Sequence, residues 1–481
     1  MPLNILQLAA EVTPFAKTGG LGDVVAGLSR FLGRQGHDVR VFLPYYPHLA
    51  SEPERFAPVD FIRDVPVQLG SQRFTYSART APLPDSDLSV YFIDCPELFQ
   101  YGGIYHGDWS DSLRFALLTV AAFECAQRMG WSPDILHCHD WHTALAPVYR
   151  RAFFEWDGLF QKTRTVLTIH NLGFQGVVDA GRLPALGLEP HAHLLDLSPG
   201  HFNFMRNGIR HADVLTAVSR TYAQEIQTPE QGFGLDGLLR ANSHRLAGIV
   251  NGMDYGDWNP ATDPHLFYHY SPDDLAGKRT CKRNLLREIG FDESTAAPVV
   301  GIVSRLTPQK GFDLCFDALP AFLFHRDLRL VVLGSGESRY EEFFQSLAQR
   351  FPGKAWFYRG YNEKLAHWIE AGADIFLMPS RYEPCGLNQM YSLKYGTPPI
   401  VRKTGGLADT VEPFNAATGK GTGFVFEHFS ADGLSWALDL ALNTYRQRSA
   451  WDRLMANGMA KDYSWDVQGK EYVELYEKLA G

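Results

Sequence analysis

Residues 17–25 read K-T-G-G-L-G-D-V-V, and residues 403–411 repeat the phrase as K-T-G-G-L-A-D-T-V. The first copy follows an apolar run at residues 5–10 and opens a helical pattern that extends to Gln35. The second copy follows the apolar pair at residues 400–401 and continues into a less regular segment. Each copy is typical of a strand, a glycine turn and the start of a helix, so the duplication predicts two related α/β lobes.

The glycine pair of the first copy suits a phosphate-binding turn. Because Gly19 and Gly20 have no side chains, backbone N–H groups can approach a phosphate closely, and the helix N-terminus that follows favours an anion. Lys17 adds a full positive charge. The phrase matches neither G-x-G-x-x-G nor the Walker pattern, and either copy alone is equally compatible with a plain turn between strand and helix. We therefore expect a phosphate-containing ligand, with the plain turn as the alternative.

The composition restricts the class of protein. A chain of 481 residues predicts roughly two to four domains, and 45% apolar with 21% charged residues is typical of globular proteins. The net charge of −9 argues against nucleic-acid and membrane partners and accommodates a small anionic ligand more easily. Six cysteines without a C-x-x-C pair indicate reduced thiols. Since no leader or bilayer-spanning segment is recognisable, we expect a cytoplasmic protein.

Apolar strand patterns alternate with helical patterns in both halves, which predicts parallel sheets built from β-α-β units. In the first half the predicted strands are residues 3–10, 39–43, 88–94, 135–138, 165–169, 214–218 and 246–250. In the second half they are residues 299–303, 328–333, 355–358, 375–378 and 399–401, with helices at 313–323, 363–371 and 387–395. The predicted domains are residues 1–250, on which a C-terminal helix within 464–481 packs back, and residues 251–463, beginning at a turn-rich hinge.

Ligands of open α/β sheets bind at the carboxyl ends of strands, and four phrases fall there. The first, H-C-H-D-W-H at residues 137–142, ends a predicted strand. Its histidines allow a zinc site, but His137 and His139 alternate within an extended strand and no second cluster has metal spacing, which favours hydrogen-bonded residues. Asp140 is compatible both with a functional carboxylate and with the N-cap of the following helix.

The second phrase is T-I-H-N-L-G-F-Q-G at residues 168–176. It puts His170 and Asn171 at the end of the next predicted strand. A lone histidine at a strand end is more often structural than functional. Two neighbouring strand ends that both present polar groups make a functional role beside Asp140 more plausible, so we expect these three side chains to lie together.

The third and fourth phrases follow strands of the second half. S-R-L-T-P-Q-K-G puts Arg305 and Lys310 just beyond a strand, where cations suit phosphate oxygens and a solvated loop is the alternative. S-R-Y-E-P-C-G-L puts Glu383 before a turn and a helix whose free N–H groups can hold an anion. Both phrases therefore predict binding of an anionic ligand in the second lobe.

These phrases, in this order and with the doubled K-T-G-G-L, resemble the bacterial glycogen synthase and plant starch synthase family over essentially the whole chain. The resemblance implies the GT-B fold, an α/β architecture of two Rossmann-like β/α/β domains that face each other across a deep cleft. It also implies transfer of glucose from ADP-glucose, or UDP-glucose in some members, to the non-reducing end of an α-1,4-glucan with retention of configuration. The first domain would then be the acceptor and catalytic domain, and the second would bind the nucleotide sugar.

The resemblance further implies roles for individual residues. In the first domain it implies that Asp140, His170 and Asn171 face the sugar or the acceptor. It implies contacts with the nucleotide or substrate by Lys17, Gly19, Gly20, Asp23 and, at an interdomain position, Asn251. In the second domain it implies phosphate binding by Arg305 and Lys310, orientation of the glucosyl unit by Glu383, backbone contacts by Cys385, Gly386 and Leu387, and a place near the base for Tyr361. Many related enzymes carry a second Glu eight residues after the first, where this chain has Tyr391.

The family's retention of configuration raises the question of mechanism. A glycosidase-like route needs two carboxylates beside one sugar, whereas Asp140 and Glu383 belong to different predicted domains. A nucleoside diphosphate is already a good leaving group, so we expect cations to stabilise it and front-face transfer to follow. This route needs no metal and no cofactor, and the only D-x-D, at residues 85–87, is predicted to lie in a loop.

Other classes of protein remain open at this stage. A non-catalytic glucan-binding homologue would be expected to have lost some of the residues named above, and all are present. A nucleotide-sugar epimerase could share the two-lobed architecture but would need a proton-abstracting group at the sugar. A glucan phosphorylase would need a lysine site for pyridoxal phosphate, and none is recognisable. The expected partners are therefore a nucleotide sugar and an α-1,4-glucan, with neither nucleic acid nor membrane.

Overall fold

The computed structural model describes residues 2–198 and 200–481 and separates into two compact units. Unit 1 is the chain up to Gly252 together with Trp465–Gly481, and unit 2 is Met253–Ser464. The sequence patterns predict domain boundaries at residues 250 and 463. Each unit is built on a mainly parallel α/β sheet, as the repeated strand-turn-helix phrase predicts.

Unit 1 combines a large sheet with a small one. Its strands are β1 (Asn4–Leu8), β2 (Asp38–Pro44), β3 (Ala57–Pro58), β4 (Val65–Leu69), β5 (Gln72–Pro82), β6 (Ser89–Asp94), β7 (Ile135–His139), β8 (Arg164–Ile169), β9 (Val177–Asp179), β10 (Leu197–Ser198), β11 (His201–Asn203), β12 (Val214–Ala217) and β13 (Leu246–Gly248). Its first helices are α1 (Gly20–Arg34), α2 (Pro96–Phe99), α3 (Ser110–Arg128), α4 (Asp140–Thr143), α5 (Ala146–Phe153), α6 (Phe204–His211), α7 (Arg220–Glu225) and α8 (Asp236–Ala241).

The ten-stranded sheet of unit 1 has the order β13-β12-β8-β7-β1-β2-β6-β5-β3, with β4 beside β5. The strands from β13 to β6 are each parallel to their neighbours in the sheet. The strand β5 is antiparallel to β6, β3 and β4, and β9–β11 form a separate antiparallel sheet. The prediction of a parallel sheet is therefore right for the centre of unit 1 and wrong for its β5 edge.

Unit 2 contains a six-stranded sheet in which all neighbouring strands are parallel. The strands are β14 (Val299–Leu306), β15 (Arg329–Gly336), β16 (Ala355–Arg359), β17 (Ile375–Met378), β18 (Pro399–Arg402) and β19 (Phe424–Phe426). The helices are α9 (Ala276–Glu288), α10 (Asp313–His325), α11 (Ser338–Arg350), α12 (Glu363–Gly372), α13 (Asn388–Lys394), α14 (Gly405–Thr410), α15 (Ala431–Tyr445) and α16 (Arg448–Met459). The second glycine phrase therefore opens the short helix α14, as its strand-turn-helix pattern predicts.

In each sheet the strand order reverses beside one strand. In unit 1, β1 lies between β2 and β7, and in unit 2, β14 lies between β15 and β17. The loops that leave the two central strands go to opposite sides of the sheet, which opens a crevice at the carboxyl ends, and open α/β sheets bind ligands there. The polar phrases follow β1, β7 and β8 in unit 1, and β14 and β17 in unit 2, so both sets of predicted residues lie at or next to such a reversal.

The last helix, α17 (Trp465–Ala480), belongs to unit 1 and packs on α1 through glycines. A Cβ atom at Gly27 would overlap the indole ring of Trp465, and a Cβ atom at Gly469 would overlap the ring of Phe31. The missing side chains let the two helices approach closely, so that Trp465 and Phe31 are almost fully buried.

Gly27→Ala should lower the free energy of unfolding by roughly 1–3 kcal/mol, because the added methyl group must displace the Trp465 ring. Gly237→Ala is the matched control. Gly237 is exposed in α8 and has only the flexible end of Arg240 within 4 Å, so a methyl group there should leave stability unchanged or raise it by up to about 1 kcal/mol. Urea unfolding of both variants measures the difference. Equal changes in the free energy of unfolding of the two variants would show that close packing at Gly27 does not contribute to stability.

Candidate active site

Asp140 follows β7 at the strand reversal of unit 1 and is the first residue of α4. It has a left-handed φ of 56°, which aspartate tolerates better than most residues. His139, not Asp140, is the N-cap of α4, so the N-cap alternative is wrong. The carboxylate turns instead to the neighbouring strand, where Oδ1 accepts hydrogen bonds from the N–H groups of His170 at 2.7 Å and Asn171 at 3.1 Å. The structure thus brings these three predicted residues together.

The environment of Asp140 makes its carboxyl group a weaker acid than usual. The side chain is buried, and this burial raises the pKa of Asp140 to about 7, although the two N–H donors act in the opposite direction. The nearby charge of Glu11 raises the pKa further. A carboxyl group that exchanges its proton near neutral pH at a strand end is typical of functional sites.

The histidines of the first phrase are hydrogen bonded inside unit 1. His139 Nδ1 lies 2.9 Å from His170 Nε2, and His139 Nε2 lies 2.8 Å from Gln7 Oε1. His137 Nε2 lies 2.6 Å from the hydroxyl of Thr168. The other ring nitrogen of His137 faces the α17 hydroxyl of Tyr476 at 2.6 Å, so α17 reaches the same network. Across residues 2–198 and 200–481, no group of three or more His, Cys, Asp or Glu side chains is arranged to hold a metal ion.

Burial also decides the charge of these histidines. It lowers the pKa values of His137, His142 and His170 to about 3, and it lowers that of His139 well below the ordinary value. All four imidazoles are therefore neutral at pH 7. They can orient groups and share hydrogen bonds, but they cannot neutralise a phosphate.

The first glycine turn follows β1 and opens α1. Gly19 is the N-cap of this helix, and a Cβ atom placed on it would meet nothing within 4 Å. Lys17 is 44% exposed at its side chain and pairs with Asp23 at 2.8 Å. Because Gly20 is the first helical residue, its N–H group has no acceptor within the helix. An anion could therefore approach this turn from the open side.

Glu11, which the sequence patterns do not reveal, holds the other side of the turn. Its buried carboxylate accepts hydrogen bonds from the N–H groups of Thr18 at 2.5 Å and Gly19 at 3.2 Å. It also accepts from the hydroxyls of Thr18 at 2.8 Å and Tyr105 at 2.5 Å. The N–H group of Gly19 therefore donates to Glu11 and is not directed at a ligand. For an approaching anion, this turn offers the N–H group of Gly20 and the partly exposed ammonium of Lys17, which pairs with Asp23.

The second glycine turn is packed against backbone instead of facing open space. A Cβ atom at Gly405 would overlap the carbonyl oxygen of Glu383, and one at Gly406 would overlap that of Cys385. The N–H group of Gly406 donates to the carbonyl oxygens of Glu383 at 3.1 Å and Pro384 at 3.2 Å. This copy of the phrase therefore supports the E-P-C-G-L loop by direct backbone contact.

Glu383 lies after β17 at the strand reversal of unit 2 and is 5% exposed. Its Oε2 accepts hydrogen bonds from the ammonium of Lys310 at 2.6 Å and the hydroxyl of Ser380 at 3.0 Å. The structure therefore joins two predicted site residues in one ion pair, in which Glu383 is buried and Lys310 is partly exposed. Arg305 is exposed near the end of β14, which extends three residues further than predicted, so Arg305 lies within the strand and not beyond it.

Gln389 fixes the turn that follows Glu383. Its buried amide donates to the carbonyl oxygens of Cys385 and Gly386, both at 3.0 Å. In a trans peptide the N–H group points opposite to the preceding carbonyl, so the N–H groups of Gly386 and Leu387 point away from Gln389. Gly386 has a φ of 76°, and a Cβ atom there would overlap the Gln389 amide. Only glycine meets both requirements.

Three further positions have different surroundings. Tyr361 is 67% exposed in the loop before α12. Asn251 is buried in unit 1, and its Oδ1 has no hydrogen-bond partner among the described residues. Tyr391 in α13 is buried and stacks on Trp258, with ring centroids 4.2 Å apart, so it fills an aromatic layer of unit 2.

Two different family models match the first and the second half of the chain. Residues 4–241 match the family described as the starch synthase catalytic domain, and residues 289–454 match glycosyl transferases group 1. The chain is 44% identical to the glycogen synthase of Koribacter versatilis, over 99% of this chain and 98% of that protein. It is 45% identical to the glycogen synthase of Anaeromyxobacter dehalogenans strain 2CP-C, over 99% and 100%. This chain belongs to the glycogen and starch synthase family.

Solved structures place the family in the GT-B class. The catalytic domain of starch synthase IV from Arabidopsis thaliana, bound to ADP and acarbose, matches with a TM-score of 0.92 and 35% identity over the full length of both chains. Sucrose-phosphate synthase from Thermosynechococcus elongatus matches with a TM-score of 0.62 at 15% identity, which shows a common fold only. The predicted family, fold class and glycosyltransferase class are thereby confirmed. No helix within the described residues is both long and apolar enough to cross a bilayer.

Asp140 should make the stability of this synthase fall as pH rises. The carboxyl pKa is about 3.9 in an unfolded chain and about 7 in the folded protein, so the folded protein binds more protons between these values. Asp140→Asn cannot ionise. From pH 5 to pH 8, the wild-type free energy of unfolding should therefore fall by about 2–3 kcal/mol relative to the variant. Urea unfolding at both pH values measures this difference, and a pH-independent difference would contradict the assignment.

Proposed function

We propose that this chain is a glycogen synthase that transfers glucose from ADP-glucose to the non-reducing end of an α-1,4-glucan with retention of configuration. The main support is the partly buried Lys310–Glu383 pair and the exposed Arg305 at the strand reversal of unit 2, in a chain 44% identical to a glycogen synthase over nearly its whole length. The ADP bound to the Arabidopsis starch synthase supports ADP-glucose over UDP-glucose as the donor.

In the proposed reaction, the bond between the anomeric carbon and the diphosphate oxygen breaks first. The acceptor approaches the anomeric carbon from the same face of the sugar that the diphosphate leaves. The acceptor's terminal hydroxyl oxygen then bonds to the anomeric carbon, and its proton passes to the departing diphosphate oxygen. ADP and a glucan longer by one glucosyl unit are the products. Because attack and departure share one face, the α configuration is retained without a covalent intermediate.

The cations of unit 2 would stabilise the departing diphosphate. A single charge pair at about 4 Å, in an effective dielectric near 20, contributes about 4 kcal/mol, or roughly a thousandfold in rate. Arg305 forms no ion pair with any described residue and is exposed, so its guanidinium is available to the phosphates. Lys310 gives one hydrogen bond to Glu383, and its ammonium carries two further donors.

Glu383 is better suited to orienting the sugar than to attacking it. Its Oε2 is engaged by both Lys310 and Ser380, and its charge is compensated inside the protein. A nucleophile needs an accessible, uncompensated oxygen. We therefore assign Glu383 and the N–H groups of Cys385, Gly386 and Leu387 to holding the glucosyl unit, and Tyr361 to the base.

In unit 1 the proposed roles follow the hydrogen-bond geometry. Asp140, held by the N–H groups of His170 and Asn171, would bind sugar or acceptor hydroxyls together with those residues. Lys17 and the N–H group of Gly20 would contact the diphosphate, with Asp23 keeping Lys17 in place until the ligand arrives. Asn251, whose Oδ1 is buried without a partner, would gain one from substrate.

The proposal is tested by incubating the chain with glycogen and either ADP-glucose or UDP-glucose. We expect extension of glycogen and release of ADP in equal amounts, with new linkages of α configuration by NMR spectroscopy. Epimerised sugar nucleotide without glucan extension would indicate an epimerase. Glycogen binding without turnover would indicate a non-catalytic homologue, and either result would overturn the proposal.

Arg305→Ala and Lys310→Ala should each lower kcat by about a hundredfold or more, because both remove charge that the transition state needs. Steady-state kinetics with ADP-glucose and maltotriose measure this effect. Arg326→Ala is the control, since Arg326 forms an exposed ion pair with Asp439 on the surface of unit 2. Its kcat should stay within about twofold of wild type.

Lys310→Ala also leaves the buried Glu383 carboxylate without its cation, which can destabilise the loop by itself. The double variant Lys310→Ala/Glu383→Gln removes that uncompensated charge. If the double variant recovers thermal stability but has a much lower kcat than Glu383→Gln alone, the loss that follows removal of Lys310 belongs to chemistry. Near-normal kcat in both Arg305→Ala and Lys310→Ala would refute stabilisation of the leaving group.

A further inference from the structure

Gln7 is an amide buried in a central strand of the unit 1 sheet. It lies in β1, beside the strand reversal, and is fully buried. Its neighbours along the strand, Leu6 and Leu8, are buried apolar residues. A buried polar side chain costs free energy unless it is hydrogen bonded, so an amide within an apolar run needs a partner. None of the roles proposed above uses Gln7.

The partner of Gln7 is His139, which ends the neighbouring strand β7. Oε1 of Gln7 lies 2.8 Å from Nε2 of His139. Nδ1 of His139 lies 2.9 Å from Nε2 of His170, which follows β8. Because β1, β7 and β8 are adjacent in the sheet, the three side chains form one line of hydrogen bonds across three strands. The line begins in the core and ends at His170, which is partly exposed.

The amide oxygen of Gln7 decides where the protons of this line lie. An amide oxygen can only accept a hydrogen bond, so Nε2 of His139 must carry a proton. Burial holds the pKa of His139 well below its ordinary value and lowers that of His170 to about 3, so at pH 7 each ring is neutral and carries one ring proton. Nδ1 of His139 is therefore an acceptor. The proton between the two rings belongs to Nε2 of His170, and Nδ1 of His170 carries none.

We propose that Gln7 is a positioning residue for glucosyl transfer, which acts through His139 to present Nδ1 of His170 as a hydrogen-bond acceptor to a substrate hydroxyl. This nitrogen has no hydrogen-bond partner among the described residues, and the backbone of the same residue holds Asp140. With the proton on Nδ1 instead, the ring would be a donor at this place. The inference rests on the proposed function, in which His170 faces the sugar or the acceptor.

The position of the proton can be measured in the wild-type chain. In protein labelled with 15N-histidine, a ring nitrogen with a proton and one without have widely separated 15N chemical shifts, and His170→Ala assigns the signals of His170 by their loss. We expect wild-type His170 to carry its proton on Nε2. A proton on Nδ1 would overturn the inference, because it requires the reverse line, in which the Gln7 amide group donates to His139.

Gln7→Met removes the accepting oxygen with little change in side-chain length. The Nε2–H group of His139 then has no acceptor in the core, and a shift of the ring protons along the line relieves that cost. We therefore expect a measurable fraction of His170 to carry its proton on Nδ1 in this variant. An unchanged proton position in folded Gln7→Met would overturn the inference. If Gln7→Met does not fold, the proton position in wild type decides.

Kinetics separate positioning from a purely structural role. With ADP-glucose and maltotriose, Gln7→Met should lower kcat/KM about tenfold, the order expected for one misdirected hydrogen bond. In a His170→Ala background the same substitution should change kcat/KM by less than about twofold, because its effect passes through His170. Thr216→Val is the matched control, since it removes a buried hydroxyl, bonded to Thr168 at 2.6 Å, from the same sheet. Its kcat/KM should stay within about twofold of wild type.

The possible outcomes are distinguishable. An equal loss of kcat/KM from Gln7→Met in both backgrounds, or a loss no larger than that of Thr216→Val, would overturn the inference, while transfer by wild type would still support the proposed function. A wild-type chain that transfers no glucose would contradict the proposed function itself, and this inference with it.

Discussion

The close backbone contact between Gly405–Gly406 and the loop Glu383–Cys385 is the constraint on which the unit 2 site depends. Two positions without side chains let β18 and α14 approach the loop, and the N–H group of Gly406 bonds to two of its carbonyls. With the main chain fixed in this way, the Glu383 carboxylate meets Lys310 and Ser380, and the next N–H groups point outward. The chemistry proposed for unit 2 therefore begins with a packing requirement.

The two copies of the nine-residue phrase have different surroundings in the two units. In the first copy the space in front of Gly19 is open, and Glu11 holds the turn from behind through Thr18 and Gly19. In the second copy that space is filled by protein backbone, and the lysine has turned to Glu427. The local fold of strand, turn and helix is common to both. Only the tertiary surroundings decide whether the turn faces a ligand or another loop.

Much of the sheet architecture could be predicted because buried parallel strands are continuous apolar runs. The sequence predicts β1, β7 and β17 for this reason, and the carboxyl ends of β7 and β17 locate Asp140 and Glu383. The hairpin of β4 and β5 was missed although residues 65–69 alternate between buried and exposed, since Pro66 argues against a central strand and this strand lies at an edge. Strands two or three residues long, such as β10, carry no measurable period.

The parts of the site that could not be predicted are specific side-chain contacts, some of them between distant segments. Glu11 holds Tyr105, far along the chain, and Gln389 holds the loop before it by a geometry that spacing alone does not encode. The N-cap alternative for Asp140 is wrong for a similar reason, since the next strand offers its carboxylate two N–H groups.

The most direct test of this account compares thermal unfolding of Gly19→Ala and Gly406→Ala, each with and without ADP. Without ADP, Gly406→Ala should lower Tm by several degrees, because a methyl group cannot fit beside the Cys385 carbonyl, while Gly19→Ala should leave Tm unchanged. With ADP, wild type should gain stability and Gly19→Ala should lose most of that gain. If both variants have the same Tm without ADP, or if Gly19→Ala keeps the full ADP-induced increase, the two turns do not have the separate roles described.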